Sequence, residues 1–329
     1  MWTSSSSRPP SSSARIPRTP SRRRRMLSAI RPLLALAVIA LFVSPVGAAD
    51  KIRVVATIPD LKALTEEVGG KLVDVETLAR GTQNAHELEI RPSLMVKLRR
   101  ADILVENGLE LDSWAEVAVQ GANNPNIVRG APGRVDVSRG IQVLEVPSTR
   151  VDRSMGDVHP LGNPHYSLDP GMAPVITQNI VDALGRFAPD HRVEFEKNRQ
   201  AFLARLDEAM ARWTRAMEPL KGARVVVYHP QWIYLLSRFG LSQAATLEDR
   251  PGIPASPAHL TRVIRQMKEE RIKVIIVEPW NDLKLANRIA DEAGAKAVVL
   301  ASMVGGVKGA DSYIGAIDHN VNALVTAMK

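Results

Sequence analysis

The 329-residue chain has no cysteine. That absence excludes disulfide bonds, thiolate metal ligands and a lipid-modified cysteine at an export cleavage site. An exported chain without disulfides has to hold together by burying a real core, and this one is long enough to do so. A second absence is of charge. Residues 1–48 contain eight arginines and no acidic side chain, so the formal charge of +8 belongs to this segment. The remainder carries 35 basic and 35 acidic side chains and has no positive excess to match a phosphate backbone, so nucleic acid is excluded as a partner. The H-E-x-x-H pattern of zinc peptidases is missing as well.

The first 48 residues have the order of an export signal. Arg22–Arg25 and Arg31 form a positive region, and Pro32 to Val43 (PLLALAVIALFV) is an apolar run too short to span a membrane comfortably. Val46-Gly47-Ala48 supplies small residues for cleavage before Ala49. Met26 is an alternative start, since MLSAIR onward is already a complete signal. The expectation is a soluble periplasmic protein without a lipid anchor.

Beyond residue 48, strands alternate with short helices, the pattern of βαβ units and a parallel sheet. KIRVVATI (51–58) reads as a first buried strand, with Asp60 as N-cap of the next helix. A second strand is expected over 73–78, a helix over 94–100, a third strand over 102–108, and a helix carrying Trp114 capped by Asp112 or Ser113. Residues 121–140 read as a loop and Ile141 to Val146 as a weak strand.

From 190 to 220 the period changes. Phe195, Phe202, Leu206, Met210, Trp213, Met217 and Leu220 recur at helical spacing over most of the segment, which predicts a single amphipathic helix of about 30 residues, about 45 Å long. Its length and position suit a strut between two α/β lobes. The second lobe is expected to use strands at 224–229, 273–279 and 295–301, a helix started by Ser256-Pro257, another capped by Asn281 or Asp282, and a last helix from about Tyr313 to Met328. The predicted organisation is thus residues 1–48 as signal and extension, 49–189 as the N-terminal lobe, 190–220 as the connecting helix and 221–329 as the C-terminal lobe.

Three histidines occupy comparable places. His86 lies in GTQNAHELE after a strand, His165 in GNPHYSLDP on a loop stiffened by glycine and prolines, and His229 ends the strand RVVVYH. Ligands of open parallel sheets bind outside the carboxyl ends of the strands, which makes these residues candidates, with Asp311 after the final strand in a similar position. Three imidazoles and a carboxylate suit tetrahedral zinc. Taken singly, a strand-end histidine serves more often as a hydrogen-bonding cleft residue, and the four positions lie far apart with no short spacing signature. His159 reads as a solvated loop residue with an accessory or transfer role as the alternative. Glu278 is the second choice for the acidic ligand. Glu248 and Asp249 read as solvated, and His259 and His319 as structural.

At these residues the chain resembles the solute-binding proteins of zinc and manganese ABC importers, over nearly its whole length after the signal. The resemblance rests on His86 in its loop, GNPHYSLDP, VVVYHPQWIYLLSRFGL and DSYIGAIDHN, with the long helix and PSPAHL…KVIIVEP in support. It implies His86 and His165 from the N-terminal lobe and His229 and Asp311 from the C-terminal lobe, closing on one transported Zn²⁺ in the interlobe cleft. It also implies delivery to an ABC-type membrane permease, with a zinc chaperone as a further candidate partner, by a monomer that is not an enzyme. Histidine at the third position favours zinc over manganese, since imidazole is a softer donor than carboxylate.

Two features depart from the family. No histidine-rich loop lies between the first two ligand motifs, as residues 115–158 hold no histidine. Ser167 also replaces the usual aromatic before Leu-Asp-Pro, which is expected to loosen the packing behind His165. A manganese or iron carrier of the same architecture is the alternative function, and a secreted zinc hydrolase or a surface adhesin a more distant one. Metal binding is expected to release protons, and ion release to need loop movement in the C-terminal lobe, because the connecting helix opposes a large hinge.

Overall fold

The computed structural model describes residues 51–152 and 155–329. The export signal expected over residues 1–48 lies outside the described residues. Two four-stranded sheets, all their pairings parallel, form the two lobes. The first contains β1 (Ile52–Ala56), β2 (Val73–Thr77), β3 (Ile103–Glu106) and β4 (Arg134–Asp136), in the order β2-β1-β3-β4. The second contains β5 (Arg224–Val227), β6 (Ser242–Thr246), β7 (Val274–Val277) and β8 (Lys296–Val299), in the order β6-β5-β7-β8. The lobes therefore repeat one topology, and in each the strand order reverses beside the first strand, where such sheets place ligands.

Helices cover the sheets: α1 (Pro59–Gly69), α2 (Pro92–Arg100), α3 (Ala115–Ala122) and α4 (Ala173–Phe187) in the first half, and α6 (Ile233–Arg238), α7 (Pro257–Glu270), α8 (Leu283–Ala293) and α9 (Tyr313–Met328) in the second. Between them runs α5 (Arg192–Met217), 26 residues bounded by 3-10 turns that contain Pro189 and Pro219. Its buried stripe is Phe195, Phe202, Leu206, Ala209, Trp213 and Met217, spaced so that every member faces the same side. That stripe packs on α1 and α4 of the first lobe and on α9 of the second. One hydrophobic cluster accordingly crosses both lobes, from Ile52 and Leu64 through Phe202 to Ile276 and Leu324.

Polar contacts reinforce the junction. Arg238 grips the buried Asp169 with two hydrogen bonds of 2.6 and 2.8 Å. The Tyr234 hydroxyl donates to Asn163 O at 2.8 Å and accepts from Leu144 N–H at 2.9 Å, and the Tyr313 hydroxyl donates to Ser167 O at 2.6 Å. A fully formed ion pair of this kind is hard to break on one side only, since the partner charge would be left buried.

The structure corrects four of the expectations drawn from sequence. The fourth strand of the first sheet is Arg134–Asp136, inside the stretch read as loop, and 141–146 is not a strand. β6 was not anticipated, because SQAAT has neither the β-branched density nor the alternation of a strand. Asp60 does not cap α1: its carboxylate is buried and Oδ1 accepts from Val304 N–H at 3.2 Å in the other half of the chain. Asp112 likewise points inward, accepting from Thr57 Oγ1 and Asn107 N–H, each at 2.6 Å.

Candidate metal centre

Three loops place the three histidines. The His86 loop comes after β2 and is held by Trp114, whose indole N–H donates to Ala85 O at 2.9 Å. The His165 turn is anchored on the end of β3: Asn107 Nδ2 donates to Pro164 O at 3.1 Å and the Tyr166 hydroxyl to Asn107 O at 2.5 Å. His229 stands two residues beyond β5, just after Tyr228, whose N–H still bonds Ile276 O at 2.8 Å. These anchors make Ser167 harmless. It is itself buried, and His165 is only 7% exposed, so the looser packing expected there is not found.

The three imidazoles converge. Each offers one nitrogen to a group whose members all lie within 4.8 Å of one another. His86 Nε2 and His165 Nε2 are 3.1 Å apart. A tetrahedral ion with Zn–N bonds of 2.0–2.1 Å sets its donors about 3.3–3.4 Å apart, so this pair is already at near-coordinating separation.

Outer partners aim the rings. Asn163 Oδ1 accepts from His165 N–H at 3.1 Å and lies 2.9 Å from His165 Nδ1, which puts the proton on Nδ1 and the lone pair on Nε2. Asn163 is oriented in turn by its amide hydrogens, given to Glu145 Oε2 and Pro230 O. His229 Nδ1 lies 2.8 Å from Glu248 Oε2, which also accepts Gly252 N–H at 2.8 Å. His86 Nδ1 faces His159 Nε2 at 3.1 Å. With Nδ1 of each ring engaged outward, Nε2 is left for the centre, the arrangement by which outer hydrogen bonds fix the tautomer of metal-binding histidines.

The electrostatics of the rings differ. Burial, then the charges of neighbouring histidines, holds His86 and His165 well below the ordinary histidine range. The same causes bring His159 down to about 4. Burial also acts downward on His229, but the hydrogen bond to Glu248 and the charges of Glu248, Glu278 and Asp157 outweigh it, and the net shift is upward. A cavity of about 240 Å³ opens beside the cluster, lined by Asp157, His159, Asn163, His165, His229 and Pro251 among others.

The remaining predicted residues stand elsewhere. Among the described residues Asp311 is outside the three-histidine group, exposed on the segment between β8 and α9. Glu278 is buried with both oxygens used, accepting from Trp232 Nε1 at 2.5 Å and from Asn281 Nδ2 at 2.7 Å, and burial pushes its pKa up. Glu248, read as solvated, is 8% exposed and is the carboxylate that touches His229. It was missed because it comes just after the unrecognised β6, so nothing marked it as a strand-end residue. Asn163 was legible only as a turn former. His259 and His319 are structural as expected, with Nε2 against Thr246 O and Val299 O.

Several known proteins similar to this chain are described as metal-binding. The chain is 25% identical over 282 residues to the high-affinity zinc uptake system protein ZnuA of Bacillus subtilis, covering 84% of this chain and 87% of that one. It is 25% identical over 289 residues to the iron-binding protein YfeA of Yersinia pestis, covering 85% and 88%. A crystal structure of a ZnuA deletion mutant with zinc bound superposes with a TM-score of 0.71 at 26% identity, over 84% of this chain and 98% of that one. The model of the family described as zinc-uptake complex component A, periplasmic, matches residues 54–327, and the chain belongs to that family.

Proposed function

We propose that this protein captures Zn²⁺ in the periplasm and delivers it to an ABC-type membrane permease for import. The observation that carries the reading is the convergence of three imidazole nitrogens from two lobes, each ring with Nδ1 held by an outer partner. Three neutral nitrogen donors in a buried pocket suit zinc better than the harder Mn²⁺, which favours oxygen. The fourth place belongs to Asp311, brought in when the segment after β8 closes, and opening of that segment releases the ion. The lobes are residues 49–189 and 221–329, joined by 190–220, and residues 1–48 direct export without a lipid anchor.

The protein acts as a monomeric carrier, and a zinc chaperone is a candidate loading partner. Glu278 has both oxygens in hydrogen bonds, and Glu248 turns Oε2 to the outward Nδ1 of His229, so both carboxylates support the ligand set from outside it. An iron or manganese cargo is the second reading, favoured by the similarity to an iron-binding protein. Metal analysis of the mature protein, with competition titration against zinc and manganese, separates the two. Zinc should bind more tightly by at least about a hundredfold, and Asp311→Ala should weaken it. Manganese binding as tight as zinc overturns the assignment.

A further inference from the structure

Two of the three clustered rings have an oxygen as outer partner, but His86 has another imidazole. His159 Nε2 lies 3.1 Å from His86 Nδ1, with the rings stacked at 29° and their centroids 5.0 Å apart. His86 therefore stands between two ring nitrogens, His165 Nε2 on one side and His159 Nε2 on the other. If the ion takes the lone pair of His86 Nε2, the His86 proton must sit on Nδ1 and needs an acceptor there. We propose that His159 is that acceptor: a positioning residue that fixes the tautomer and angle of His86 and does not itself bind the ion. The inference rests on the zinc-binding reading above. It assigns to His159 a role different from accessory capture, since its Nε2 faces His86 Nδ1 at 3.1 Å and it lies outside the converging group.

His159 is delivered by a strap pinned at both ends. At one end Asp157 N–H donates to Pro251 O at 2.9 Å, and Gly156 sits so close that an added Cβ would be 2.0 Å from the same oxygen. At the other, Asn163 N–H donates to Leu144 O at 2.8 Å, and Gly162, at φ +100°, leaves room for Val143. A side chain at either glycine would push the strap away, and the positive φ at both positions also disfavours any other residue.

The oxygen that clips the strap belongs to the turn 248–253 of the second lobe. The same turn supplies Glu248 to His229. One short turn thus governs the outer partners of two ligands that come from different lobes.

The test compares wild type with His159→Ala, His159→Gln and Gly156→Ala, measuring zinc affinity by competition with a chromophoric chelator and the absorption spectrum of the Co²⁺ form. Loss of an outer partner typically lowers metal affinity about 10–100-fold, which is the expectation for His159→Ala and for Gly156→Ala. Glutamine offers a side-chain oxygen to the same N–H, so His159→Gln should recover affinity to within about threefold of wild type. The Co²⁺ spectrum of His159→Ala should match wild type, since the donor set is unchanged. Unaltered affinity in His159→Ala, an altered Co²⁺ spectrum, or no recovery with glutamine each overturns the proposal. Absence of zinc binding by the wild type would instead remove the parent reading.

Discussion

The two lobes share a sheet order and a parallel topology, yet the pKa values of their candidate ligands are shifted in opposite directions. The first lobe contributes His86 and His165, whose pKa values burial drives down, so both rings are neutral at ordinary pH. The second contributes His229, which the adjacent Glu248 drives up against the same burial. Topology alone does not decide ligand chemistry. The difference comes from the residue at the end of the neighbouring strand: β6 ends beside Glu248, which reaches back to His229, whereas the partners of His86 and His165 are a histidine and an amide. Proton release on metal binding, expected from all the imidazoles on sequence grounds, thus concentrates on the second lobe.

Removing a ligand from either lobe should have the largest effect. His165→Ala should lower zinc affinity by about two to three orders of magnitude, a share of the total binding free energy of a few-ligand zinc site. Competition titration measures it, and unchanged affinity would make His165 a structural residue.

A smaller effect separates the lobes directly. The hydrogen bond to Glu248 and the nearby carboxylates raise the His229 pKa above the ordinary histidine value, so this ring holds its extra proton to higher pH than His86 or His165, and that proton must leave when zinc arrives. His86 and His165 carry none to lose. Calorimetry in buffers of different ionisation enthalpy should find proton release that rises toward about one per zinc as pH is lowered from about 8 to about 6, with affinity falling over the same range. Glu248→Gln keeps a hydrogen-bond acceptor but removes the charge. It should cut the proton release and weaken zinc about tenfold. Release of two or more protons in the wild type would place charge on the first lobe and erase the contrast.

The smallest expected effect concerns the seam where the lobes meet. Gly81 lies so near the second lobe that an added Cβ would be 2.3 Å from Val304 O, and beside it Asp60 accepts Val304 N–H. Burial raises the Asp60 pKa from 3.8 to about 7, and its Oδ2 has no hydrogen-bond partner among the described residues. A carboxyl whose folded pKa exceeds its unfolded one binds more protons folded. Its contribution therefore favours folding at low pH and is lost as pH rises from about 4 through about 7. Asp60→Asn should raise the melting temperature by a few degrees at pH 8, with an effect of about 1–3 kcal/mol, and change little at pH 4. An equal shift at both pH values would show that ionisation of Asp60 is not the cause.

Much of this molecule is written locally. The period of Phe195, Phe202, Leu206, Trp213 and Met217 specifies the long helix, because three- and four-residue steps can bury one face only if the backbone is helical. The β-branched runs at 52–56, 224–227 and 274–277 specify buried strands, and the prolines beside His165 a stiff loop. Resemblance added the four-ligand expectation of His86, His165, His229 and Asp311. Tertiary structure decided the features that depend on partners distant in the chain. Asp60 meets Val304, Glu248 meets His229, and His159 meets His86 across 73 positions. A carboxylate or an imidazole in a loop looks the same in sequence whether water or a ring nitrogen awaits it, because its role is set by desolvation and by the group facing it. Asp311, exposed here, shows the same limit from the other side: its place in the chain suggests a ligand, and only the position of its loop determines whether it is one.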